Sequence, residues 1–148
     1  MKTFVKTFVA AALIAISTFA MAADKPSSTS EKAIVNLFTA DIALSHYVAV
    51  ITEGESAGVD QLFAADFCQK IQSGNAATNN RREVIKFLKK QKGEKLNCKV
   101  NTQIIEESSD YMVAKVTMQF ADFTKTDLVT LVNENGRWKV SSSVNAYK

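Results

Sequence analysis

The chain has 148 residues, with 18 basic and 15 acidic side chains, two cysteines, one histidine and one proline. That length holds one ordinary domain with its own core, and a charge so close to balance leaves no long-range field to gather phosphates, which argues against nucleic acid as a partner. Five scattered glycines form no phosphate cradle, and a single histidine with two distant cysteines makes a poor zinc site, so no metal and no cofactor are expected.

The chain opens MKTFVKTFVAAALIAISTFAMA. Lys2 and Lys6 precede an apolar run from Thr7 to Met21 that is too short and too lightly flanked for a stable membrane span, and Ala20-Met21-Ala22 is a small-residue cleavage pattern. Residues 1–22 are therefore read as a signal peptide cleaved before Ala23, which makes the mature chain exported, periplasmic or extracellular. Without Lys2 and Lys6 the 18 basic side chains fall to 16 against 15 acidic ones, so the basic isoelectric point belongs partly to the discarded segment. Residues 23–30, ADKPSSTS, read as a flexible leader, and 31–148 as a single domain. In an oxidising compartment Cys68 and Cys98 have two readings. A disulfide would close a loop of about 30 residues and stabilise by roughly 3–4 kcal/mol, while two separate thiols would pack as small hydrophobes.

The first predicted element is a long helix, opened by a capping box at Ser28 and Glu31 and stopped by Gly54. At 100° per residue Leu37, Leu44, Val48 and Ile51 share a line, with Ile34 and Tyr47 at its edges. A second, short helix is expected over Val59 to Phe67. SGNAATNN then reads as a loop, and NNRREVIKFLKKQKG as an amphipathic third helix with asparagine caps and a glycine stop. Val84, Phe87, Leu88 and Gln91 share one of its faces.

From Leu96 the period changes to two. LNCKVNTQII alternates, and YMVAKVTMQF sets Met112, Ala114, Val116, Met118 and Phe120 on one face. TDLVTLVNENGRWKVSSSV reads as two strands joined at Asn135-Gly136, with Trp138, Val140 and Val144 turned to the core. Glu107 to Asp110 is another reversal. Three helical pieces followed by an antiparallel meander define an α+β domain.

The order of these elements, with Tyr47-Val48 and Gly54 ahead of Val59-Asp60-Gln61-Leu62-Phe63, with Arg82 to Phe87 in the third helix, and with the ending NENGRWKVSSS, resembles the nuclear transport factor 2-like superfamily. The resemblance spans nearly the whole mature chain and is nearest to the secreted bacterial branch described as putative lumazine-binding or SnoaL-like. It implies a strongly curved, mainly antiparallel sheet wrapped as a cone on the long N-terminal helix, a cystatin-like roll. It also implies a cavity under the helices and frequent homodimers through the sheet. Such cavities serve isomerases, dehydratases, hydrolases and domains with no reaction at all, so fold alone assigns no chemistry.

The candidate chemistry is sparse. His46 lies about 160° from Leu44 on the helical wheel and points away from the core line. Asp41 falls about 60° from it, where a carboxylate lining the cavity would act as a general base, with the Tyr47 hydroxyl as donor. The plainer reading leaves Asp41 in water or paired with a lysine. Phe87, Met112, Met118, Phe120 and Trp138 would complete a mostly apolar lining, or simply be core. Asp122 and Asp127 read as turn residues. No G-x-S-x-G elbow is present. The basic run RREVIKFLKKQKGEK reads first as the solvated side of a helix, and second as a surface for anionic lipid or an acidic partner. Tyr111, Val113, Val129 and Leu131 are expected on the outer sheet face, as a homodimer patch. The expected function is an exported non-catalytic module that binds a small apolar or amphipathic molecule or a protein partner. The second reading is a cofactor-independent isomerase, dehydratase or hydrolase using Asp41 and Tyr47.

Overall fold

The computed structural model describes residues 34–148 apart from Ser73. The expected signal peptide, its cleavage before Ala23, the leader and the Ser28–Glu31 capping box lie outside the described residues.

The chain runs α1 (Ala40–Thr52), α2 (Val59–Leu62), β1 (Phe63–Gln72), β2 (Ala77–Asn80), α3 (Arg81–Lys90), β3 (Lys99–Glu107), β4 (Tyr111–Gln119), β5 (Thr124–Glu134) and β6 (Arg137–Tyr147). The six strands form one curved open sheet in the order β2-β1-β6-β5-β4-β3, antiparallel throughout except where β1 runs parallel to β6. The helices cover its inner face. The fold is α+β, as the change of period implies.

Two helical expectations are corrected. The first helix begins at Ala40, capped by the Thr39 side chain, which accepts from the Ile42 N–H at 3.3 Å. Residues 34–38 stay non-helical. The buried Leu37 uses its carbonyl to accept the Trp138 N–H at 2.7 Å, a tertiary bond that an α-helix would forbid. The second helix ends at Leu62, and Phe63 onward is strand, because β2 on one side and β6 on the other supply the backbone partners of β1. The expected loop SGNAATNN accordingly contains β2, the return strand of a hairpin.

Other features follow the expected local chemistry. Asn80 caps α3, accepting from Glu83 N–H at 3.1 Å while the Glu83 carboxylate accepts from Asn80 N–H at 2.8 Å. Asn135 and Gly136 turn the β5–β6 hairpin with φ of 54° and 79°. Gly54 does more than stop α1. At φ 67° its Cα lies so near the end of α3 that a Cβ would stand 2.5 Å from the Gln91 carbonyl oxygen, and its own carbonyl accepts from Gly93 N–H at 2.9 Å.

The most consequential irregularity is a bulge in β6. Thr130 faces Ser142, yet the next residue, Leu131, faces Val140, so Ser141 is an extra residue. Beyond it the alternation reverses: Trp138 and Val140 are buried, but then Ser143 and Asn145 turn inward and Val144 does not. Val144 as a core residue is thereby corrected. So are Val129 and Leu131 as outer-face residues. Leu131 stands directly opposite Val140 and shares its face, and both Val129 and Leu131 are fully buried. Their outward neighbour is Leu128, 42% exposed.

Candidate functional site

Tyr47 and Val50 project from the second half of α1, and Val84, Phe87 and Leu88 from α3. Opposite them stand the inward residues of β1, β5 and β6. Together they enclose a pocket of about 370 Å³. Its walls are apolar: Val50, Ile51, Phe63, Ile71, Val84 and Leu88. Its polar groups come from the strands, with Gln69 on β1, Asn79 on β2, Lys125 on β5 and Asn145 on β6, and from α3 and the residues after it, with Glu83, Gln91 and Glu94. Phe87, 60% exposed, and Tyr147, 44% exposed, stand where the pocket meets solvent.

Behind this lining lies a buried polar cluster. Asp127 is 1% exposed, and the Tyr47 hydroxyl donates to its Oδ2 while the Ser143 hydroxyl donates to Oδ1 at 2.8 Å. Asp127 is therefore no turn residue. It sits three residues into β5, directly opposite Asn145, and faces inward. Burial raises its carboxyl above the usual carboxylate range, against the two hydroxyl donors and the nearby Lys125 charge, which pull it down. Burial pushes the Tyr47 hydroxyl well up, and the Asp127 charge and hydrogen bond push the same way. Burial likewise draws the Lys125 ammonium below its ordinary value, with Asp127 pulling back.

This arrangement holds a tyrosine rigidly. Phe63 meets the Tyr47 ring edge-on at 6.1 Å, and Phe67 meets Phe63 at 4.7 Å. Both lone protons of the cluster point at Asp127. Asp127 is buried and not among the lining residues, and its two oxygens already accept from Tyr47 and Ser143, so it does not face a reactant in the pocket.

The expected site residues separate. Tyr47 and Phe87 line the pocket. Asp41 lies in the first turn of α1, exposed, and is not among the lining residues. It precedes Tyr47 by six residues, a rotation of about 240°, so the two cannot face one reactant. Base and hydroxyl donor are thus parted, and that pairing is corrected. Met112 and Met118 are fully buried core, Trp138 is buried at 6% exposure, and Phe120 is partly buried against them; none lines the pocket. They belong to, or pack against, the hydrophobic core that also holds Leu37, Leu44 and Leu62. His46 is half-buried, with Nε2 lacking a hydrogen-bond partner, and it stands outside the pocket. Cys68 and Cys98 are both free and half-buried, which corrects the disulfide reading. Cys68 belongs to β1, and Cys98 precedes β3 at the far edge of the sheet.

A family model described as "Putative lumazine-binding" matches residues 38–145. The chain belongs to this family. Within it the chain has the nuclear transport factor 2-like fold. A protein of unknown function from Pectobacterium atrosepticum is similar, with 19% identity over 76% of this chain and 90% of that one and a TM-score of 0.60. So is an NTF-2-like protein of unknown function from Silicibacter pomeroyi, with 18% identity over 73% and 90% and a TM-score of 0.57. A third, called a "putative ketosteroid isomerase" and from Parabacteroides distasonis, shares 10% identity over 73% and 86% with a TM-score of 0.55. At these identities the likeness is one of fold. No match was found among curated proteins. No helix among the described residues is long and apolar enough to cross a membrane.

Proposed function

We propose that this chain is an exported, non-catalytic module that binds one small, largely apolar molecule in the pocket between α1, α3 and the sheet. The observation that carries this reading is an apolar wall with no carboxylate placed as a base: of the acidic lining residues, Glu83 is tied to the N-terminus of α3 and Glu94 is exposed at the rim. Six aliphatic and aromatic residues wall a pocket of about 370 Å³, while the buried Asp127 behind it accepts from Tyr47 and Ser143. The family description, which names ligand binding and no reaction, supports the same reading. Copies of the chain pair through the outer sheet face, where Leu128 and Tyr111 are exposed.

Saturable uptake of a neutral, environment-sensitive fluorophore, N-phenyl-1-naphthylamine, tests the module. The folded chain binds one equivalent with a rise in emission. Val84→Phe, which fills the α3 wall, weakens uptake about tenfold or more while circular dichroism stays unchanged. A linear, unsaturable response from the unaltered chain rejects the proposal.

A further inference from the structure

Asn145 and Lys125 give the pocket one polar end. Asn145 is 2% exposed, lines the pocket, and carries an Oδ1 that is buried without a hydrogen-bond partner. Leaving such an acceptor unmet is costly, and Asp127, its cross-strand neighbour, has no proton to spare for it. Among the described residues Lys125 is the only basic one of the lining. No carboxylate among the described residues stands within 4.0 Å of its Nζ, which lies 6.0 Å from the centroid of the Tyr147 ring and feels the buried Asp127 charge only at longer range. The two acidic lining residues do not answer it. Glu83 is committed to the N-terminus of α3, and Glu94 is exposed at the rim.

Register places the two groups side by side. Asn145 pairs with Asp127 and Tyr147 pairs with Lys125, so Asn145 and Lys125 are diagonal neighbours on one face, at about 7–8 Å. Side chains converging from that spacing reach two adjacent substituents of one small molecule.

We infer that the ligand is an amphipathic anion bearing a carboxylate or equivalent oxyanion beside a hydroxyl or N–H donor, with the anion on Lys125, the donor on Asn145 Oδ1, and an apolar body along Val50, Phe63, Val84 and Leu88. This rests on the binding-module reading and narrows it to a ligand class. An anion meeting a desolvated ammonium gains a charge-assisted bond that water does not match, and the neighbouring donor satisfies the orphaned oxygen.

Three naphthalene probes separate the contributions in competition with N-phenyl-1-naphthylamine. 1-Hydroxy-2-naphthoate carries anion and donor, 2-naphthoate lacks the donor, and 1-naphthol lacks the anion. The unaltered chain binds the first about tenfold more tightly than either of the others. Lys125→Met abolishes its advantage over 1-naphthol, Lys125→Arg restores it, and Asn145→Ala abolishes its advantage over 2-naphthoate. Equal binding of the three probes to the unaltered chain overturns the inference and leaves the module standing, and that ranking decides even where a variant fails to fold. If neither the neutral fluorophore nor any naphthalene saturates, the module reading falls and this inference falls with it.

Discussion

At the scale of single residues, the informative group is Asp127, which sequence pattern assigns to a turn and the fold buries. Its two oxygens accept from Tyr47 and Ser143, so it anchors α1 to β5 and β6 at one point. Tyr47→Phe leaves Oδ2 without its donor and costs about 1–3 kcal/mol, readable by urea unfolding. The pH dependence follows from the raised carboxyl. Because the folded chain holds this proton more tightly than the unfolded chain, the stabilisation it brings is fully present below the ordinary value of 3.8 and is lost as pH rises through the folded value. Tyr47→Phe removes a donor that favours the ionised form and moves that loss to higher pH. Asp127→Asn keeps the shape and one of the two acceptor oxygens but has no proton to titrate, so its stability profile lacks this component. Parallel profiles for Asp127→Asn and the unaltered chain would show that the carboxyl titrates alike folded and unfolded.

At the scale of elements, legibility tracked how local the cause was. The third helix was readable because Asn80 and Glu83 satisfy each other's backbone within one turn, and the Asn135-Gly136 hairpin because positive φ is a property of those two residues. Strand β1 was not, since Leu62 to Phe67 suits a helix and its strand partners, above all the distant β6, lie elsewhere in the chain. Nor were Ser143 and Asn145, whose inward turn depends on one extra residue in β6, which the run Ser141-Ser142-Ser143 conceals. The pocket's walls were therefore partly visible, through Tyr47 and Phe87, while its polar end was hidden behind a change of parity. Because α3 is both a locally specified helix and a wall of the pocket, stability and binding are joined there. Asn80→Ala removes a cap and one half of a capping box, costing about 1 kcal/mol. Affinity for N-phenyl-1-naphthylamine falls with it, since a frayed first turn displaces Val84. Loss of stability with unchanged affinity would show that the start of α3 does not set the pocket.

At the scale of the whole molecule, a curved sheet covered by helices on one side has another side to account for. On that outer face Leu128 stands between Val144 and Lys115, with Tyr111 and Val113 farther along β4. Leu128 is 42% exposed and Tyr111 37%, while Lys70, opposite Val144, and Lys115, opposite Leu128, flank an apolar centre with charge. That is the composition of an interface core and rim. A two-fold pairing would set Leu128 of one copy near Leu128 of the other, where a charge is costly to bury. Sedimentation at two concentrations therefore shows a monomer–dimer equilibrium for the unaltered chain, and Leu128→Lys weakens it about tenfold or more. The competing site is the edge of the sheet, since β3 is exposed along its whole length and carries Val100 and Ile104. Ile104→Lys distinguishes them: it leaves a face-to-face dimer intact and breaks an edge-to-edge one. A monomer at both concentrations, or a dimer that survives Leu128→Lys and dissolves with Ile104→Lys, rejects the outer face as the meeting surface.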